Sequence, residues 1–272
     1  MQLRHLKTIQ PAADGDVFAP QRVTAMCWST NNRRLAACTT DRIVHLFDEN
    51  GERRDKFSTK PADAKGPKNY IVRGMAWSPD STKLAVAQSD NIVFVYKLGL
   101  EWGERKSICN KFLHQSPITC VIWPVERPNE VVFGLAEGRV RIGNCRSNKA
   151  ATLYSAESYV TSLAVSPDGN AIISGHHDGS IYRFCFHAGP YGPVGQSRIA
   201  THNVPPYALA WGEAICAAGN DCKVAFYDKD GGTIQEFDHS GQDHSKEFTT
   251  AAFNPSGESV VIGSFNRFFV YR

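Results

Sequence analysis

The sequence lacks the short signatures by which catalysis is usually recognised. No GxSxG, HExxH, P-loop or dinucleotide fingerprint occurs anywhere in it. The reading is therefore non-enzymatic, with no catalytic residue and no cofactor assigned. Long apolar runs are missing too: the longest are about half the length that crosses a bilayer. The first residues, Met1-Gln2-Leu3-Arg4-His5, have no apolar core of a secretory signal, so a cytosolic chain is expected. An excess of one charge is also absent, since 30 Lys+Arg stand against 27 Asp+Glu for a net +3. Nucleic-acid binding usually needs a concentrated basic face, and none is expected here. The eight cysteines, at 27, 38, 109, 120, 145, 185, 216 and 222, form no CxxC pair. Most lie in apolar runs such as Ile215-Cys216-Ala217-Ala218 and read as small core residues, not as a disulfide framework or metal site.

What is present is a globular composition, with 42% hydrophobic, 11% aromatic and 21% charged residues in 272. A six-residue template recurs six times: bulky, polar, small, apolar, apolar, large. It begins at Val23, Val72, Ile118, Val160, Pro206 and Phe248, about 42 to 49 residues apart, as in Val23-Thr24-Ala25-Met26-Cys27-Trp28 and Val72-Arg73-Gly74-Met75-Ala76-Trp77. A second apolar run follows each copy and reaches an acidic or amide residue at a constant interval: Leu35 to Asp41, Leu84 to Asp90, Val131 to Glu137, Ile172 to Asp178, Ile215 to Asp221 and Val260 to Asn266. A third strand-like run comes next, as in Ile92-Val93-Phe94-Val95-Tyr96, and then a polar, irregular fourth such as Arg53-Arg54-Asp55-Lys56-Phe57. Polar fourth strands suit a sheet edge, where charge discourages further pairing.

Four strands at roughly 40–45 residues per repeat are the signature of propeller blades. The fold expected is all-β: a WD40-type β-propeller with six blades visible, a fragment of a larger, about seven-bladed propeller. The whole chain, residues 1–272, forms that one domain, with blades at 22–69, 70–116, 117–158, 159–204, 205–246 and 247–272 and residues 1–10 as an outer strand, centred on Leu3–Ile9. The small third template residue suits an innermost strand, where blades converge. Ser78-Pro79-Asp80 and Ser166-Pro167-Asp168-Gly169 form the turns after it. The acid ending the second strand is expected to cap the next turn by accepting backbone N–H bonds.

Side chains that suggest chemistry have plainer readings. His176-His177-Asp178 looks like an acid–base or metal cluster, but adjacent histidines on a strand point to opposite faces and Asp178 holds a turn position. His239 and His244 read as solvated loop, without a metal-ligand set. The tryptophans other than Trp102 fall on first-strand template positions and read as core. One segment departs from neutrality. Between Gly51 and Arg73, seven basic residues (Arg53, Arg54, Lys56, Lys60, Lys65, Lys68, Arg73) face three acids (Glu52, Asp55, Asp63), a net of +4. These seven are the candidate partner-binding residues, as an electrostatic contact for an acidic protein or an anionic membrane surface.

The stretch Asp48-Glu49-Asn50-Gly51-Glu52-Arg53-Arg54-Asp55-Lys56-Phe57-Ser58-Thr59-Lys60-Pro61-Ala62-Asp63 resembles the start of the intraflagellar transport protein 172 family. Val132-Phe133-Gly134-Leu135-Ala136-Glu137-Gly138, Pro205-Pro206-Tyr207-Ala208-Leu209-Ala210-Trp211 and Glu247-Phe248-Thr249-Thr250 do so as well. The resemblance implies a subunit of the intraflagellar transport B complex, laid out as two propellers followed by TPR-like helices. It implies a role in cilium and flagellum assembly and in cargo transport along axonemal microtubules. The implied location is cytoplasm, basal body and axoneme. The implied partners are other subunits of that complex, among them the calponin-homology-domain subunit. The resemblance carries over no individual binding residue. The closing Trp-Asp of typical WD repeats is absent, and no Gly-His pair precedes the templates. The alternative reading is a WD40 scaffold of another cytosolic assembly, such as a vesicle coat.

Overall fold

The computed structural model describes residues 8–9, 12–13, 16–20, 22–66, 69–241, 246–265 and 267–272, and these contain strands and turns without a helix. Six antiparallel sheets follow one another along the chain, and within each the strand order is the chain order. Blade one comprises Val23–Trp28, Arg34–Thr39, Ile43–Asp48 and Arg53–Ser58. Blade two comprises Val72–Trp77, Lys83–Gln88, Ile92–Lys97 and Ser107–Leu113. Blade three runs through Ile118–Ile122, Glu130–Leu135, Arg139–Asn144 and Lys149–Ser155. Blade four has Val160–Val165, Ala171–His176, Ser180–Cys185 and Gly195–Thr201. Blade five has Ala208–Trp211, Ile215–Ala218, Lys223–Tyr227 and Thr233–Asp238. Blade six has three strands, Phe248–Phe253, Val260–Ser264 and Arg267–Tyr271. The fold is thus an all-β, WD40-type propeller arrangement of six blades. A short hairpin of Ala12–Ala13 and Asp16–Pro20 precedes them. The outer strand expected at Leu3–Ile9 lies outside the described residues, apart from Thr8 and Ile9, which are in no strand.

Contacts divide the chain into two compact units, Met1–Phe133 with Ile142–Ala151, and Gly134–Arg141 with Thr152–Arg272. In the first unit the first strands of blades one, two and three touch in succession. Leu46, Val72, Trp77, Leu84 and Phe94 form a core shared by blades one and two. In the second unit the first strands of blades four, five and six do the same. Ile173, Ile181, Leu209, Trp211 and Ile215 join blades four and five, and Val224, Phe248, Val260 and Ile262 join five and six. Small residues let these strands approach: a Cβ on Gly74 would stand 3.3 Å from Val121.

The polar second residue of the template has a structural cause. Val23 pairs with Thr39 and Ala25 with Cys38, leaving Thr24 as an extra residue in a β-bulge. The same break leaves Arg73, Thr161 and Thr249 unpaired in blades two, four and six. A bulge removes its residue from the alternation of faces, so a polar side chain is accommodated there.

Several turn acids cap as expected. Asp41 Oδ1 accepts from Ile43 N at 3.0 Å, Asp178 Oδ1 from Ser180 N at 3.0 Å, and Asp221 Oδ1 from Lys223 N at 3.1 Å. Glu137 pairs with Arg139 at 3.3 Å. Asn266 lies outside the described residues.

Two assignments need correction. Trp28 is 48% exposed and is not core, whereas Trp77 at the same template position is 4% exposed. The Trp77 indole lies on the preceding blade and donates to the Cys27 carbonyl at 3.2 Å. Blade one comes first in its unit, so within that unit Trp28 has no preceding blade to pack on. His239 is not solvated loop either. It hydrogen-bonds with the Tyr271 hydroxyl at 2.6 Å and packs on Phe269 with ring centroids 4.6 Å apart, because the third strand of blade six brings both rings beside it. His244 lies outside the described residues.

Candidate partner-binding surface

The basic segment begins on the outer strand of blade one. Arg53 pairs with Phe47 and Asp55 with Leu46, so Arg54 is the extra residue of a bulge. Phe57 faces inward, with its ring centroid 4.9 Å from that of Tyr96, and thereby fixes which side of the strand is buried. Arg54, Lys56 and Ser58 consequently face solvent, as does Arg53 at the strand's start.

The acids within the segment are already engaged. Asp55 forms an ion pair with Lys106 and accepts from Gly103 N at 3.1 Å and Lys56 N at 2.8 Å. Burial pushes its carboxyl up, but Lys106 and the two N–H groups outweigh burial and hold it below the usual range. Asp48, which precedes the segment, receives Arg54 Nε at 2.7 Å. The Glu52 N–H, with the Arg54 guanidinium and the Asn50 N–H, keeps the Asp48 carboxyl below its ordinary value. Arg54 is thus already paired with an acid outside the segment. The charge count over Gly51–Arg73 overlooked this, because Asp48 stands just before that window. Its place at the end of a strand, before Asn50-Gly51, is the sequence signal of a side chain turned back into a loop.

From Ser58 the chain crosses to blade two on a link that is pinned along its length. Thr59 Oγ1 donates to the Arg42 carbonyl at 3.0 Å and lies 2.9 Å from the Tyr70 hydroxyl. The Lys60 N–H donates to Tyr96 Oη at 3.0 Å, and the Ala62 N–H donates to Asp90 Oδ2 at 2.7 Å. Asp90, expected to cap its own turn, ties down this link instead. Burial raises the Asp90 carboxyl, and the Ala62 N–H opposes that rise. Lys60 and Lys65 stand exposed on the link, and Lys68 lies outside the described residues. Arg73 is the bulge residue of the next first strand and is also exposed. The candidate cations therefore sit on three successive elements, not on one strand.

This arrangement offers positive charge on backbone that is already ordered. Among the described residues there is no group of three or more His, Cys, Asp or Glu side chains that could hold a metal. Among them, too, no helix is long and apolar enough to cross a membrane. The His176-His177-Asp178 cluster divides because the strand ends at His176 and His177 starts the turn that follows. His176 is buried and bonds with Ser174 Oγ and the Ser158 carbonyl, both at 2.7 Å, whereas His177 is exposed. An open groove of about 210 Å³ lies between blades five and six, lined by Phe226, Ile234, Phe237, Phe253 and Tyr271 among others. It had no sequence signal.

The repeat family described as "WD domain, G-beta repeat" matches residues 16–48, 62–97 and 147–184. Intraflagellar transport protein 172 of Chlamydomonas reinhardtii is 54% identical over 275 residues, covering 100% of this chain and 15% of that protein. The human homologue is 51% identical over 273 residues, with the same coverage. The Caenorhabditis elegans intraflagellar transport protein osm-1 is 38% identical over 98% of this chain and 15% of its own. The chain thus spans about 15% of the length of the curated relatives it matches. It carries WD40 repeats and, over its full length, matches the N-terminal 15% of intraflagellar transport protein 172 across species at 38–54% identity.

Proposed function

We propose that this chain is a non-enzymatic protein-interaction platform in intraflagellar transport, acting within cilia and flagella as part of the B complex. In that role it serves cilium assembly and the movement of cargo along axonemal microtubules. The observation that carries this reading is the match of the whole chain, at 54% identity, to a protein named for intraflagellar transport. The WD40 repeats fit a protein-interaction scaffold.

The partners proposed are other B-complex subunits, including the calponin-homology-domain subunit. The contact proposed for the basic segment is an acidic face of such a partner, with anionic membrane as an outcome to be tested separately. Arg53, Lys56, Lys60, Lys65 and Arg73 supply the charge, with Lys60 and Lys65 on a link held by Tyr70, Tyr96 and Asp90. An ordered link leaves less conformational entropy to lose on binding. The test is reversal of Arg53, Lys56, Lys60 and Lys65 to Glu in the full-length protein, with association measured against purified B-complex subunits and against anionic vesicles. Slower association with the subunits and a flatter salt dependence are expected, because rim charges mainly steer encounter. Unchanged kinetics with both probes refute a role for the segment.

A further inference from the structure

A second exposed cluster, in the second unit, has a different chemistry. The connection into blade four brings Tyr159 against the turn that leaves His176. The His177 N–H donates to the Tyr159 carbonyl at 3.0 Å, and the two rings stack at 4.6 Å with planes 21° apart. Blade five adds a third ring. Pro206 is fixed because its carbonyl accepts from Ser162 Oγ at 2.5 Å, and the Tyr207 that follows is 39% exposed and interacts through its phenol with Tyr159. In the first-strand template Tyr207 takes the place held elsewhere by Thr24, Thr119, Thr161 and Thr249, so a large aromatic replaces a small polar residue at one blade alone among those described apart from Arg73 in blade two.

Two acids stand in the chain beside these rings, Asp178 next to His177 and Glu157 two residues before Tyr159. Asp178 sits on the same turn, with its N–H bonded to Ser158 Oγ at 3.0 Å, and Glu157 is exposed on the incoming connection. Burial raises the Asp178 carboxyl, but the Ser180 hydroxyl and N–H hold it low, with smaller help from His176 and from Arg198, whose guanidinium donates to Thr201 Oγ1 at 2.7 Å. Aromatic faces attract cations through their quadrupole, and a carboxylate beside them adds Coulombic attraction. A planar guanidinium also stacks on a flat ring, which an ammonium does not, and the exposed face of His177 continues the stack begun by Tyr159.

We propose that Tyr159, His177 and Tyr207, flanked by Asp178 and Glu157, dock an arginine side chain of a partner protein. This surface lies on other blades than the basic segment and selects the opposite charge, so it stands or falls independently of that segment.

The probe is N-acetyl-arginine methylamide, titrated into the protein labelled with 13C at its tyrosine rings. Saturable shifts confined to Tyr159 and Tyr207 are expected, and they should weaken as salt rises. The uncharged citrulline analogue should bind at least about tenfold more weakly, and the lysine analogue should fall between the two. Tyr207→Ala should weaken arginine binding about fivefold or more while the remaining tyrosine resonances stay in place. Tyr207→Leu, which keeps bulk at the position, should weaken it equally. Shifts spread over all tyrosines, equal response to citrulline, or retained binding by both variants would overturn the proposal.

Discussion

Trp77 and Trp28 occupy the same template position, and only one is buried, so truncating each to alanine isolates what the neighbouring blade contributes. Trp77 is almost fully buried and joins the core formed with Leu46, Leu84 and Phe94. A buried indole removes about 200 Å² from water, which at about 25 cal/mol per Å² amounts to roughly 5 kcal/mol. Large-to-small substitutions of buried tryptophan cost about 3–5 kcal/mol, in agreement with that area. Part of the loss is the bond to the Cys27 carbonyl, about 1 kcal/mol, which Trp77→Phe also forfeits, but a phenyl ring keeps much of the buried area, so Trp77→Phe should cost less than Trp77→Ala. Trp28→Ala leaves no enclosed cavity, and with half its surface already wet should cost about 1–2 kcal/mol. Urea unfolding followed by far-UV circular dichroism reads the difference. With a slope near 3 kcal/mol per M, the Trp77→Ala midpoint should fall by about 1 M or more and the Trp28→Ala midpoint by about half of that or less. Equal midpoints would refute the assignment of Trp77 to an inter-blade core.

Turns at equivalent positions should respond differently to a methyl group: a Cβ on Gly179 (φ 84°) would lie 2.0 Å from the His202 carbonyl oxygen, whereas Cys222 (φ 59°) already carries one. Gly179→Ala should therefore lower stability by more than about 2 kcal/mol and Cys222→Ala by less than about 1, and similar melting shifts would contradict the close approach. Burial lowers the His176 and His202 pKa values below 6.5, favouring neutral rings in the fold. The unfolded chain then binds more protons, so stability present above pH 6.5 should be lost as pH falls below it, by up to about 1.4 kcal/mol per unit per ring; urea midpoints that stay flat between pH 7 and 5 would contradict this. Lys65→Ala, on the exposed link, should change stability by less than about 0.5 kcal/mol, and a larger loss by thermal melting would mean the side chain has a packing role.

The blades were legible because a propeller is built sequentially. Every strand pairs with its neighbour in the chain, so pairing, turn and core position recur within one repeat length. Local patterns suffice for such a fold, as they do for other repeat architectures. What lies between blades was less legible. Trp28 and Trp77 have the same local sequence context and differ only in what stands beside them. His239 looked like loop because it follows a polar outer strand, and the rings that bury it arrive from about 30 residues later. The charge excess of Gly51–Arg73 was visible, but its distribution over three elements and the capture of Arg54 by Asp48 are tertiary facts.

The bulges connect these observations. In the pairing of third with outer strand, the extra residue is Arg54 in blade one, Cys109 in blade two, Ile199 in blade four and Ile234 in blade five. Arg54, Cys109 and Ile234 are all exposed, although one is charged, one a thiol and one aliphatic. In the first strands, the bulges of blades one, two, four and six hold Thr24, Arg73, Thr161 and Thr249, a threonine in three of the four, and Thr24 Oγ1 donates to the Cys38 carbonyl at 3.3 Å. A residue outside the pairing register has no ladder partner on its face, so the outer-strand bulges admit a charged, a thiol or an aliphatic side chain, and Ile199 among them packs on the core of blades four and five. Tolerance of that kind is what a scaffold needs in order to vary its surface while keeping its fold. It also explains why a template defined by packing locates the blades and says little about what they bind: the positions free to recognise a partner are those the template leaves unconstrained.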